Sequence, residues 1–249
     1  MTTSNTTTNL IAAPAPRRYS GALLIAEGVL AFAPLAILAP AIGWPASLGE
    51  PAAVQLTAIA AQADAVRLGY SVYLIYSLLI LPAMAVLAHH TLRGPGARAP
   101  MSLIATVIGF AAASALARCI GILRWLTVMP LLAAEYASAN AAQRPEIERL
   151  FGALSEYGGA IGEVLGVSLF MAAAMLALLV PAWRNRSLPR VFSASGIVVA
   201  LGIAALSLPI FGSPDLVPIA VAVTALSVWQ IAIGVWLIVS RSAIHSNNT

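Results

Sequence analysis

Arg118 and Arg124 stand six residues apart in a stretch, Ser102 to about Val128, that otherwise reads as hydrocarbon-embedded helix. The next apolar stretch carries a carboxylate, Glu163. Glu156, seven residues before it, falls on the same helical face. A guanidinium in a bilayer core costs about 2.5–3.5 kcal/mol on insertion scales, so it needs a counter-charge, an acceptor or a water-filled niche. Three chemistries fit these residue types. Two guanidiniums can hold an anion. A buried carboxylate can carry a proton. Polar groups between helices can also do nothing more than bind the bundle together.

Depth along the helices sorts the partners. At 1.5 Å per residue, Arg118 lies about 14 Å below the outer end of its stretch and Arg124 about 4–6 Å below it. Arg124 can snorkel to the headgroups, whereas Arg118 cannot easily do so. Glu163 is about 9 Å below the outer end of an antiparallel neighbour, with Glu156 at the interface. The expected pairs are therefore Arg118 with Glu163 and Arg124 with Glu156. Gly159 and Gly166 flank the glutamate face, and small residues allow backbones to approach. The preceding apolar stretch adds Arg67 at its outer end, followed by Tyr70, Tyr73 and Tyr76 at a spacing of three. Their hydroxyls either line the same outward-opening cavity or bond backbone carbonyls between helices. Glu27, about 10 Å in from the opposite end of the first stretch, reads as too distant in depth to be the partner of Arg118. A Tyr, a Ser or the backbone is its expected partner. Gln230 reads as helix glue.

Other chemistry finds no support. His89 and His90 are adjacent and point apart, whereas metal or haem ligands on a helix converge at spacings such as i, i+4. Cys119 is the one cysteine, which rules out an intramolecular disulfide and a cysteine cluster. There is no phosphate loop, no Gly-x-Ser-x-Gly elbow and no His-Glu-x-x-His. No cofactor, metal or catalytic residue is expected, and an enzyme ranks last among the readings.

These residues need a scaffold, and the composition names it. The 249 residues are 60% hydrophobic and 9% charged, against about 25% charged in soluble domains. Six apolar runs have spanning length: Ser20–Ile42, Val66–Ala88, Ser102–Val128, Tyr157–Val180, Val191–Phe211 and Leu216–Val239. Pro34 and Pro40 should bend the first. The expected fold is an all-α, polytopic bundle of six transmembrane helices. Two short amphipathic helices should lie on its outer face. One covers roughly Pro51 to Ala63. The other starts at Pro145, its Ile147, Leu150, Phe151 and Leu154 in helical register, and runs into the fourth span.

Charge sets the orientation. Arg17, Arg18, Arg93, Arg98, Arg184, Arg186, Arg190 and Arg241 fall on one side with no acid among them. The other side holds Arg67, Arg144 and Arg149 with Glu50, Asp64, Glu135, Glu146, Glu148, Glu156 and Asp215. The arginine-rich side is read as cytoplasmic, with both termini inside. The same rule explains the basic balance without invoking nucleic acid. Residues 1–18 are read as a disordered cytoplasmic tail, 19–241 as the transmembrane domain and 242–249 as a second tail. The lipid bilayer is the one certain partner.

The residues singled out on physical grounds also carry a resemblance. Arg67-Leu68-Gly69, the run from Arg118 to Trp125 with Pro130, and the run from Tyr157 to Gly166 resemble a bacterial membrane family called domain of unknown function 4386. The resemblance covers most of residues 20–240. It implies a multi-span protein of the bacterial inner membrane and assigns no activity or catalytic residue. The leading expectation is binding of a small polar or anionic molecule, or a lipid headgroup, at Arg67, Tyr70, Tyr73, Arg118, Arg124, Glu156 and Glu163. The rivals are a small-solute or proton-coupled transporter and a structural or regulatory membrane protein whose Arg/Glu network only stabilises the bundle.

Overall fold

A computed structural model describes residues 17–93 and 99–240. Of the expected tails, 1–18 and 242–249, residues 1–16 and 242–249 lie outside the described residues, as do Arg98, Arg241 and His245. Arg17 and Arg18 open the first helix rather than closing a tail.

The described residues are helical, with no strand among them. Helix α1 (Arg17–Leu30) and helix α2 (Ala33–Ile42) are the two halves of the expected first span. Pro34 lacks the N–H that would bond to the Leu30 carbonyl, so the ladder breaks at Ala31 and Phe32. Gly43 closes α2 in the left-handed conformation, φ 70°, and returns its N–H to the Ala39 carbonyl at 2.9 Å. Helix α3 (Ala52–Ala61) follows, then the long α4 (Ala63–Leu92) and α5 (Met101–Leu126). Thr127, at φ −122°, ψ −77°, separates α5 from α6 (Val128–Ser138). Helix α7 (Arg144–Gly159) runs into a π-helical segment, Ala160–Phe170, and on into α8 (Met171–Asn185). Helices α9 (Arg190–Ala205) and α10 (Ile219–Val239) are the last among the described residues.

Among the described residues, five stretches are long and apolar enough to cross a membrane: Arg17–Ile42, Ala63–Leu92, Met101–Ser138, Arg144–Asn185 and Ile219–Val239. The expected fifth span, Val191–Phe211, is divided. Helix α9 has 16 residues, about 24 Å against a hydrocarbon core of about 30 Å. A separate tight turn covers Leu208–Phe211, because Pro209 cannot continue the ladder of α9.

Contacts fix the direction of each pass. Ser20 meets His90 at 2.7 Å, Tyr70 stacks on Trp125, and the Ser114 hydroxyl bonds the Gly166 carbonyl at 2.7 Å. Each contact joins antiparallel neighbours: α1 with α4, α4 with α5, and α5 with the π segment. The Ser168 hydroxyl bonds the Ile203 carbonyl, and Gly196 lies against Leu179 and Trp229. Helix α9 therefore runs back along α8 and the π segment, and α10 returns beside it. Gly21 packs on Gly234, and Gly28 on Ser227, so α10 is antiparallel to α1.

Two apolar cores result. The larger lies between α1, α4, α5, α8, α9 and α10, around Met84, Val107, Met175, Leu178, Ile203 and Leu226. The smaller lies where α3, α6 and α7 cap one end of the bundle, around Leu56, Ile59, Trp125, Met129 and Phe151. Leu78, Leu116, Ile120, Val198 and Leu201 face outward and are exposed. An apolar exterior of this kind suits lipid, not water.

Candidate functional site

Helix α4 directs Tyr70, Tyr73 and Tyr76 toward α5, which answers with Arg118, Gly121, Arg124 and Trp125. The π segment adds Gly162 and Glu163. Together they enclose three sides of a cavity of about 160 Å³. The broken first pass supplies the fourth side through Phe32, Leu35 and Trp44, and α10 adds Val223, Thr224 and Ser227 to the lining. That volume suits a small organic group or about five waters.

Its wall is aromatic. Tyr70 and Trp125 stack at 4.8 Å with planes 3° apart. Tyr73 lies 6.5 Å from Tyr70, 5.9 Å from Tyr76 and edge-on to Trp44 at 6.0 Å. Such offset and edge contacts are the favoured ring geometries and hold the wall rigid.

Two guanidiniums are set in that wall. Arg118 is 2% exposed. One Nη donates a long 3.4 Å bond to the Tyr76 hydroxyl, and the guanidinium lies 5.9 Å from the Tyr76 ring. Its Nε and other Nη are buried with no acceptor among the described residues. Arg124 donates one bond to the Gly121 carbonyl at 2.9 Å and sits 5.4 Å from the Trp125 ring, while its Nε is also without an acceptor. Glycines give both side chains room. A Cβ on Gly158 would lie 2.6 Å from Cδ of Arg124, and one on Gly166 would lie 2.9 Å from Cγ of Arg118. Between them, a Cβ on Gly121 would lie 2.7 Å from Cα of Gly162, so α5 and the π segment meet backbone to backbone.

The expected ion pairs are not formed. The one ion pair among the described residues is Arg149 with Glu146, 2.6 Å apart and exposed. Glu163 lies in the field of Arg124, not beside Arg118. The cause is the lean of helical side chains toward their own N-terminus. On α5 both arginines lean toward Met101. On the antiparallel π segment Glu163 leans the opposite way, toward Arg124 and away from Arg118. Glu156 is exposed and does not line the cavity, so it is not drawn to Arg124 as expected. Arg67, also exposed, stands outside the cavity too. Tyr70, Tyr73, Arg118, Arg124 and Glu163 do come together around it.

Glu27 reverses the depth argument. It is fully buried, and both carboxylate oxygens lack a hydrogen-bond partner. It lies within electrostatic range of Arg118 and of Tyr76. Depth counted along Cα atoms ignores that Arg118 leans toward the end where α1 begins, which brings the two groups within electrostatic range without an ion pair between them.

A family model described as Domain of unknown function (DUF4386) matches residues 19–240. The chain belongs to the DUF4386 family. No curated protein and no solved structure matches it. The DUF4386 match takes in α1 to α10 almost entirely, and with them the whole cavity wall. Within this DUF4386 chain, sequence reasoning found Gly166 but missed Gly158 and Gly162, which complete the file packed against Arg124, Gly121 and Arg118. Its signal was present as glycines four apart, the small-xxx-small pattern of closely packed membrane helices.

Proposed function

We propose that this is a six-pass protein of the bacterial inner membrane that binds a small anionic group, free or borne on a lipid, in the Arg118–Arg124 cavity. Parity supports reading helix α9 as a crossing. Successive passes alternate in direction, and α10 is antiparallel to α1. If α9 did not cross, α1 and α10 would run parallel. The end holding Arg17, Arg18, Arg93, Arg184, Arg186 and Arg190 has no acid among its described residues, which supports a cytoplasmic location. The capped end then faces outward.

One observation carries the binding reading. Arg118 is buried at a cavity wall with two nitrogens, Nε and one Nη, whose N–H groups find no acceptor among the described residues. Leaving charged donors unsatisfied in a low-dielectric interior is costly, and a carboxylate or phosphate supplies the missing acceptors in charge-assisted bonds. The aromatic wall keeps bulk water from screening them.

Native mass spectrometry of the detergent-purified protein tests this. Wild type is expected to carry an anionic species that Arg118→Gln loses, with helicity by circular dichroism unchanged. A bare wild-type mass, or the same adduct on Arg118→Gln, would overturn the reading.

Glu27 favours a second reading, in which it is the permanent counter-charge of Arg118 and the cluster only stabilises the bundle. In that case Glu27→Gln and Arg118→Gln each lower the thermal unfolding midpoint and the double variant restores it, with no adduct in any of them.

A further inference from the structure

The cavity has an opening of a particular kind. Helix α10 packs on α1 and α9, but makes no more than marginal contact with α2 or the π segment. Between Gly21–Gly234 and Gly28–Ser227 the first and last helices are zipped backbone to backbone. Just beyond Gly28 the first pass breaks at Ala31 and Phe32, and α2 resumes on a new course against α4. The seam between α2 and α10 is thus left unzipped along the half of the bundle that holds the cavity. Phe32 and Leu35 on one lip, and Ala220 and Thr224 on the other, line the cavity and are exposed. Thr224 lies about 8 Å along α10 from Ile219, well inside the hydrocarbon depth of about 30 Å. The lips are apolar apart from the Thr224 hydroxyl, and the only full charges lie at the inner wall.

From this we infer that the occupant is an anionic membrane lipid, which enters sideways through the α2/α10 seam. Its phosphate takes the open donors of Arg118 and Arg124, and its acyl chains leave between Phe32, Leu35 and Thr224 into the bilayer. An ion coming from water would have to cross an apolar mouth that offers it no acceptor or donor but one hydroxyl. A lipid brings its charge in on a chain that the mouth accommodates. This inference rests on the anion-binding reading above and names the source of the anion.

The test uses the full chain in phosphatidylcholine vesicles. Trp44 and Trp125, both on the cavity wall, report occupancy by their fluorescence. Phosphatidylglycerol with brominated acyl chains, at a tenth of the lipid, is expected to quench more strongly than brominated phosphatidylcholine at the same fraction. Arg118→Gln should abolish that excess. Thr224→Trp or, should that variant not fold, Ala220→Leu narrows the seam and should weaken apparent phosphatidylglycerol binding at least tenfold; the added indole is controlled with unbrominated lipid. Inorganic phosphate and glycerol phosphate at millimolar concentration should not compete. If they compete fully and the seam variants bind as wild type does, the anion comes from water and lateral entry is overturned while anion binding stands. If neither lipid nor phosphate responds to Arg118→Gln, both readings fall.

Discussion

At the scale of single residues, the strongest constraint is that two helices touch where neither has a side chain. A Cβ on Gly121 would press on Cα of Gly162, which cannot move aside as a flexible side chain can. Gly121→Ala is expected to destabilise the protein by about 1–3 kcal/mol, the usual cost of overpacking, read as a lower thermal unfolding midpoint in detergent. Gly109→Ala and Gly202→Ala, with nothing within 4 Å of the new methyl, should stay within about 0.5 kcal/mol of wild type. Gly158→Ala differs from both. Its methyl meets the Arg124 side chain, not backbone, so stability should hold while adduct retention in native mass spectra falls. The electrostatic coupling of Arg118 with Glu27 calls for a double-mutant cycle. The two residues share a buried site, so Glu27→Gln and Arg118→Gln should deviate from additivity in unfolding free energy by about 0.5–3 kcal/mol; strict additivity would show that the charges do not interact.

At the scale of elements, what the sequence disclosed depended on which physical signal each element leaves. Apolar length exposed α4, α5, the α8 pass and α10 to within a few residues, and Pro34 announced the break in the first pass. Helix α6 was hidden, because its apolar run continues that of α5 and only the backbone turn at Thr127 divides them. The site was legible in kind but not in pairing. Tyr70, Tyr73, Arg118, Arg124 and Glu163 were identified from residue type in an apolar setting. The partners were misassigned because Cα depth carries no information on side-chain lean. The π segment was invisible to a 3.6-residue period. Its i→i+5 bonds widen the turn, so residues four apart stay closer to a straight file than in an α-helix, where each such step drifts by about 40°. Gly158, Gly162 and Gly166 use that file. Deleting Ile161 removes the residue that the wider winding accommodates and turns α7 by about 100° relative to Glu163. The expected result is a helical protein that retains no anion and unfolds at lower temperature, measured by circular dichroism and native mass spectrometry together.

At the scale of the whole molecule, the six-pass reading makes a prediction that a five-pass one reverses. Ala141, in the turn before α7, and Ser213, between α9 and α10, should lie on the same side of the membrane, with Asn185 on the other. All three positions are exposed. In a Cys119→Ser background, Ala141→Cys and Ser213→Cys should react with a membrane-impermeant maleimide added outside intact cells, and Asn185→Cys only after lysis. Were α9 to lie on the surface without crossing, Ser213→Cys would instead follow Asn185→Cys.

The two glycine contacts have a mechanical consequence. Helices held backbone to backbone, α5 against the π segment and α1 against α10, have no side-chain cushion to compress and respond to load as stiff beams. Helix α2 has a break at its root, no such contact and one free flank. When the cavity changes volume, the displacement therefore falls on α2, which is the compliant wall of an otherwise rigid box.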